Sequence, residues 1–343
     1  MITKPRLEIH FSLSQQGTFL FGEPFLPKGN EFALNHARSG ILLALKALRL
    51  PSGSKVGVLA YNCHTVFNAV SQAGFQCIFV DVTDQLRIDL EDLRKKADGL
   101  SVLIITHLFG IRNDVQALRE EYPGLIIIED CAHAYGNRIL AGDFAVFSCG
   151  QGKMPSLGDG GFLTILNESY LPETERLFSS IPAYSFISSV KLFCSLLVKS
   201  WMYSPIIYSL ITKPMKDRRS LGSCREKISL RKMNKGVSRM YNKSIAQEDS
   251  MIESRCVNAR ILAESIKVHP AVQNVFFGEN AFMLIADCAD PLELKKYLEK
   301  SGIETATHFS HCIEWAEEFG YKRGICPNAE KLVNHLLMIP TYV

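Results

Sequence analysis

Two short stretches carry residues whose types and spacing suit covalent chemistry at a carbonyl. Ile126-Ile127-Ile128-Glu129-Asp130 is a β-branched run that stops at an acid, and Cys131-Ala132-His133-Ala134-Tyr135-Gly136 follows it. Phe147 to Gly161 then holds a single lysine, Lys153, ahead of the turn Gly158-Asp159-Gly160-Gly161. A carboxylate at a strand end and a lysine on a nearby loop are what pyridoxal phosphate (PLP) chemistry needs. The lysine links covalently to the cofactor, and the carboxylate keeps the pyridine nitrogen protonated so that the ring withdraws electrons. Singly, each residue has an ordinary role, since a strand-end aspartate caps turns and a loop lysine is solvated. Their joint spacing sets them apart.

The elements around the pair decide whether both reach one cleft. Val56 to Tyr61, Gln76 to Val82, Ser101 to His107 and Leu125 to Asp130 read as strands. Helical patterns at Thr65 to Ala73, Asp89 to Ala97 and Asp114 to Glu121 separate them. This alternation predicts an α/β fold with a mostly parallel sheet covered on both faces. Ligands in such sheets sit beyond the carboxyl ends of the strands, where His107, Asp130 and His133 fall. Asp143 to Ser148 and Phe162 to Leu166 read as an antiparallel pair that aims Lys153 into the same cleft. Ala33 to Leu48 carries an apolar helical pattern after Ser39-Gly40, a helix start able to receive a phosphate or to serve as a plain cap.

Composition bounds the function class. Of the 343 residues, 47% are hydrophobic and 21% charged, which fits a globular protein with a sizeable core. The net charge of +3 gives no reason to invoke nucleic acid. Met1 to Ser12 has no continuous apolar run of the kind a signal peptide needs. Ten scattered cysteines, none in a Cys-x-x-Cys pair, point to reduced thiols and a cytoplasmic address. His308, His311 and Cys312 have no nearby fourth ligand, so no metal is expected.

Four groups of residues resemble the DegT/DnrJ/StrS family of sugar aminotransferases, which are fold-type I PLP enzymes. They are Ile128 to Gly136, Phe147-Ser148 through Lys153 to Gly158-Asp159-Gly160-Gly161, Thr106-His107-Leu108-Phe109-Gly110, and Cys326-Pro327-Asn328-Ala329-Glu330 through Met338-Ile339-Pro340. The resemblance implies a three-layer large domain over residues 1–235 and a smaller C-terminal α+β domain over 236–343. It implies Lys153 as the cofactor-linking lysine and proton shuttle, and Asp130 as the partner of the pyridinium. His133 stands where the family has Gln, near the ring hydroxyl. Ser148 and the Ser39-Gly40 turn would bind the phosphate, His64 would stack on the ring, and His107 and His308 would lie near the sugar. Two departures stand out. Ile41 replaces the family's Thr, and the Asn that a partner subunit lends is missing before Arg239-Met240, where Ser238 or Arg239 stands instead.

Residues 171–234 leave the family pattern. Ser185 to Met202 reads as a helix with Phe186, Val190, Phe193, Cys194, Leu197 and Trp201 on one stripe, and Ser188, Lys191, Ser195 and Lys199 opposite. Ile206 to Ile211 continues the apolar character past Pro205, and a basic run from Lys213 to Lys235 follows. Neither half reaches the roughly 20 apolar residues of a spanning helix. An apolar helix followed by a polybasic stretch has the composition of an interfacial anchor, so peripheral membrane contact over about 185–235 is one reading. Packing on the core or in a dimer interface is another, and contact of the basic run with a nucleotide diphosphate a third. Tyr241 to Ile266 reads as one long helix linking the two domains.

The leading expectation is PLP-dependent transfer of an amino group from an amino acid, glutamate in the first instance, to a keto-sugar, nucleotide-linked, by a homodimer. It would serve amino-sugar or cell-surface polysaccharide biosynthesis. A sugar dehydratase or lyase, and a catalytically silent or regulatory module on the same fold, stay open as alternatives.

Overall fold

The structure, a computed structural model, describes residue 5 and residues 11–212, 224–307 and 309–342. The expectation for His308 and the first part of the basic run, Lys213 to Arg219, therefore lie outside the described residues. Seven strands form the main sheet: β1 (Glu31–Leu34), β2 (Lys55–Leu59), β3 (Gln76–Val80), β4 (Leu100–Thr106), β5 (Ile126–Asp130), β6 (Phe144–Ser148) and β7 (Gly161–Ile165). Their order is β1-β7-β6-β5-β4-β2-β3, and β7 alone runs antiparallel to its neighbours. The alternation of strands with helices His64–Gln72, Leu90–Lys96 and Val115–Glu121 is as the sequence predicts. Val102 to Ile105 and Ile127-Ile128 have no exposed surface, which is why β4 and β5 read as unbroken apolar runs. Each such side chain contributes about 1.5–3 kcal/mol on burial.

The β4–β5 register pairs Ile104 with Ile128 and Thr106 with Asp130, so two polar side chains leave the sheet together at its carboxyl edge. β6 and β7 form the antiparallel pair around the Lys153 loop, with Ser148 opposite Gly161. The glycines of that turn have distinct reasons. Gly160 has φ of +100°, a left-handed conformation that costs a side chain strain. A Cβ on Gly161 would lie 2.4 Å from the Ala37 nitrogen, so only glycine lets β7 begin directly beneath the helix Ala37–Ala47.

Three further strands, β8 (Val272–Phe277), β9 (Met283–Cys288) and β10 (Leu336–Pro340), form an antiparallel sheet in the order β10-β9-β8. Alternate residues serve its two faces. Met283, Ile285 and Met338 join the main core, while Leu284, Ala286, Leu337 and Ile339 pack on Ile266, Leu294 and Leu298.

Three local expectations need correction. Residues 31–34 form an edge strand, with only Phe32 and Leu34 turned inward, before the helix that starts at Ala37. The long helix expected over 241–266 is two helices, Lys235–Ile245 and Glu248–Ile266, separated at Ala246-Gln247. The helix Phe186–Met202 buries a different stripe from the one expected. Leu192, Phe193, Leu196 and Leu197 pack on Phe11, Phe19 and Val237, whereas Phe186, Val190, Cys194 and Trp201 face outward. With apolar residues over most of its circumference beside the Ser188, Lys191, Ser195 and Lys199 face, periodicity alone could not choose the buried side.

Candidate active site

A cavity of about 290 Å³ opens at the carboxyl edge of the main sheet. Asp130, at the end of β5, is 4% exposed and lines it. Its Oδ1 accepts the Ala132 N–H at 3.0 Å, and its Oδ2 accepts the Thr106 hydroxyl at 3.3 Å. Thr106 Oγ1 in turn accepts the Asn62 Nδ2 amide at 2.8 Å, so Asn62 fixes the direction in which Thr106 donates. Burial raises the Asp130 carboxyl above its ordinary range, and the Ala132 N–H, Lys153, Thr106 and His107 only partly offset this.

Lys153 enters from the β6–β7 loop, half-buried, with Nζ 2.5 Å from His133 Nε2. Desolvation pulls its amine below the ordinary lysine range, against the opposing pull of Cys63 and Asp130. His133 Nδ1 accepts the Phe109 N–H at 3.2 Å, which assigns the proton of the neutral ring to Nε2. That Nε2–H can donate only to a lysine lone pair, so this hydrogen bond favours the unprotonated amine. Three rings hold the imidazole in place: Phe109, Phe282 and Phe309, nearly parallel to it at centroid distances of 5.3, 4.6 and 6.0 Å.

Ser148 also lines the cavity, and its Oγ accepts the Gly150 N–H at 3.3 Å. The helix Ala37–Ala47 presents its N-terminus there through His36, Ala37 and Arg38. The Arg38 guanidinium makes no ion pair or hydrogen bond among the described residues. His36 Nδ1 lies 3.1 Å from Asp159 Oδ1, and Asp159 Oδ2 accepts the Tyr184 hydroxyl at 2.7 Å.

Several residues expected at the site lie elsewhere. Ser39 is fully buried and donates to Asn35 Oδ1 at 2.8 Å, because the helix starts two residues earlier than the Ser-Gly pair suggests. Gly40 serves packing: a Cβ there would sit 3.1 Å from Val146 Cγ1. His64 packs edge-on against Trp315 at 4.9 Å, leaving its neighbours Cys63 and Thr65 to line the cavity. Burial, and next Arg38, lower the basicity of that imidazole. Arg239 Nη1 donates to the Phe19 and Leu20 carbonyls, tying the helix Leu13–Phe21 to the chain.

His107 is sealed in the core, with Nε2 3.0 Å from Glu129 Oε2 and Nδ1 accepting the Asn113 N–H. Glu129 Oε1 accepts the Ala141 and Gly142 N–H groups, each at 2.7 Å. His107, Glu129 and Cys131 group their ligand atoms within 4.8 Å of one another. Hydrogen bonds already use the imidazole and the carboxylate, and burial pushes the Cys131 thiol well above its ordinary value, so the cluster braces the β4–β5 edge. Replacing Glu129 by Ala leaves two buried donors, His107 Nε2 and the Gly142 N–H, and the half-buried Ala141 N–H unmatched. It is expected to cost at least about 2 kcal/mol, at about 1–3 kcal/mol per buried donor left unpaired, measurable as a lower midpoint in denaturant unfolding.

Asn62, Thr106, Cys63, Arg38 and Phe309 are cavity residues that sequence reasoning did not single out. Asn62 and Thr106 had a usable signal, as polar residues at or just past strand ends. Arg38 and Phe309 had none, since neither stands out by type or spacing.

The residues present fit PLP. A buried carboxylate held by only two donors suits a pyridinium N–H, and a half-buried amine of lowered basicity suits a carbonyl carbon. The unpaired Arg38 and the helix N-terminus suit a phosphate.

This is the three-layer α/β architecture of fold-type I PLP enzymes, with a strand-end acid and a loop lysine in one cleft. Residues 24–184 match the model of the DegT/DnrJ/EryC1/StrS aminotransferase family. Among curated relatives, GDP-perosamine synthase of Vibrio cholerae is 26% identical over 45% of this chain. The matched stretch spans 44% of that relative's own length. The pleiotropic regulatory protein of Geobacillus stearothermophilus is 25% identical over 88% of this chain and 77% of its own. Among solved structures, the PLP form of the sugar aminotransferase homologue Spr1654 from Streptococcus pneumoniae covers 99% of this chain and 93% of its own, with a TM-score of 0.72 at 16% identity.

Proposed function

We propose that this chain is a PLP-dependent aminotransferase that moves an amino group from an amino acid, with glutamate as donor, to the ketone of a nucleotide-linked sugar. The observation that carries the reading is the convergence of Lys153 and Asp130 on one cavity. The named activity of the Vibrio cholerae relative supports the sugar class. When bound, the cofactor supplies an electron sink for the charge left when the donor's α-proton departs.

Lys153 Nζ, made less basic by burial and offered a hydrogen bond by His133 Nε2, would attach the cofactor and then carry the proton between carbon positions. Asp130 holds a proton at the pyridine nitrogen, and Asn62 and Thr106 fix the orientation of its carboxylate. His133 orients the Lys153 amine and faces the ring hydroxyl. Arg38, Ser148 and the helix N-terminus hold the phosphate. Phe282 and Phe309 shield the amine side of the cavity from water. The working unit we propose is a homodimer in which residues 1–235 form the cofactor domain and 236–343 the smaller one. The biological role is amino-sugar or surface-polysaccharide synthesis in the cytoplasm, with peripheral membrane contact over about 185–235.

Adding L-glutamate to the coloured protein is expected to bleach its visible band and release one equivalent of 2-oxoglutarate per chain, read by absorbance and mass spectrometry. A coloured protein that releases none supports the dehydratase or lyase alternative. A chain that stays colourless with added PLP supports a silent or regulatory module.

A further inference from the structure

We infer that the outward face of the helix Phe186–Met202 is a docking surface for an anionic lipid bilayer, a specific site for the peripheral contact proposed above. The helix is fully committed on its inner side. Leu196 is 1% exposed, and the Phe193 ring meets Phe11 and Phe19 at centroid distances of 5.2 and 5.4 Å. Its outer side is apolar as well. Phe186 is 84% exposed, Ile187 66%, Val190 45%, Val198 55% and Trp201 63%. Phe186, Val190, Cys194 and Val198 recur every fourth residue, so they form one stripe along the axis. The following helix, Pro205–Thr212, adds Ile206 at 64% and Leu210 at 73% exposed. A continuous apolar stripe of this length on a surface marks a place where something else is buried.

Charge selects the occupant. From Phe186 to Thr212 there is no Asp or Glu, and Lys191 and Lys199 make no ion pair among the described residues. Residues 186–235 hold eleven Lys and Arg against Asp217 and Glu226, a net of +9 in a chain whose total is +3. The rest of the chain is therefore net negative. A two-fold contact between copies would bring this helix, with Lys191 and Lys199 and no acid, against itself and oppose like charges. An anionic bilayer offers the opposite sign together with an apolar interior for Phe186, Ile187, Val190, Val198 and Trp201. No helix among the described residues is long and apolar enough to cross a membrane, so the contact lies in the plane of the interface.

The chain has two tryptophans, and Trp315 packs on His64. The PLP-loaded full chain carrying Trp315→Phe therefore reports on Trp201 alone. With vesicles of phosphatidylcholine containing phosphatidylglycerol, Trp201 emission is expected to shift blue and to be quenched by brominated acyl chains. Binding should be at least tenfold weaker to pure phosphatidylcholine or at high salt. Val190→Ser combined with Val198→Ser should weaken it at least tenfold, with an unchanged melting temperature because both side chains are solvent-facing. Emission unchanged by anionic vesicles at low salt overturns the inference. So does a Trp201 already shielded from iodide without lipid in an assembly that Val190→Asp dissociates, which would mean that a second copy covers the face. Neither readout depends on turnover, so failure here leaves the aminotransferase reading standing.

Discussion

Substituting Lys153 by Ala is expected to yield a folded protein with no visible absorbance after PLP is added, and with transfer activity reduced about 10³-fold or more. Two functions sit on one atom, since Nζ both attaches the cofactor and moves the proton, so no neighbour replaces it. Lys153→Arg is expected to behave the same way: it keeps the positive charge but offers no neutral nucleophile near pH 7. The wild-type pH dependence follows from the direction of the shift. Burial lowers the Lys153 amine below its ordinary value of about 10.4, so the neutral form becomes dominant at a lower pH than for a solvated lysine. The rate of cofactor attachment should rise with pH and level off before pH 10.4. Between the lowered and ordinary values the unfolded chain binds more protons than the folded one, so this group's contribution to stability rises with pH across that window. His133→Gln should move the plateau to higher pH, because the amide leaves the lysine without a fixed donor aimed at its lone pair. Stopped-flow absorbance against pH checks both points, and a plateau unmoved by the substitution would remove His133 from the account.

How much of this was legible in the sequence differs element by element. β4 and β5 announced themselves because strands buried on both faces need apolar residues at every position, and their ends were marked by Thr106 and Asp130. Lys153 was legible because two strand-like runs bracketed it. β1 was not, since four residues are too short to show a period and the helical pattern beginning at Ala37 runs straight up to them. Ser39 and His107 show a different limit. Both carry groups able to contact a ligand, and both are consumed by buried partners, Asn35 and Glu129, that lie four and twenty-two residues away. Residue type tells what a side chain can do, and only packing decides which partner reaches it first. The same holds for Cys63 and His64, adjacent at a helix start, where one step of rotation gives the cavity to Cys63 and turns His64 onto Trp315. The helix Phe186–Met202 is the extreme case, since apolar residues over most of its circumference left its buried face undetermined until Phe11 and Phe19 were seen against it.

Replacing Asp130 by Asn should lower activity by about 10²–10⁴-fold while making the cofactor-free protein more stable, and this opposed pair of effects is diagnostic. The carboxylate is buried against two donors, and burial raises its pKa above the ordinary aspartate range. Between the ordinary and raised values the folded chain binds a proton that the unfolded chain lacks. Stability from this group is therefore fully present below the ordinary value and is lost as pH rises through the raised one. Near neutrality the ionised group is thus a net cost to the empty protein. An amide keeps the Ala132 hydrogen bond and can donate to Thr106 Oγ1 once that hydroxyl rotates away, so the cost of the buried charge disappears without a cavity. The melting temperature of the cofactor-free variant should rise by about 2–4 °C, the shift that roughly 1 kcal/mol gives in a chain of this size class. The holo-protein should respond the other way. A protonated pyridine nitrogen is the cation that matches the carboxylate, and an amide does not stabilise that proton. The variant should therefore bind PLP with a smaller gain in melting temperature than the wild type, and its α-proton exchange with L-glutamate in deuterated water should slow in step with activity. If Asp130 were only a strand-end cap, the substitution would leave proton exchange unchanged, and the role proposed for it would fall.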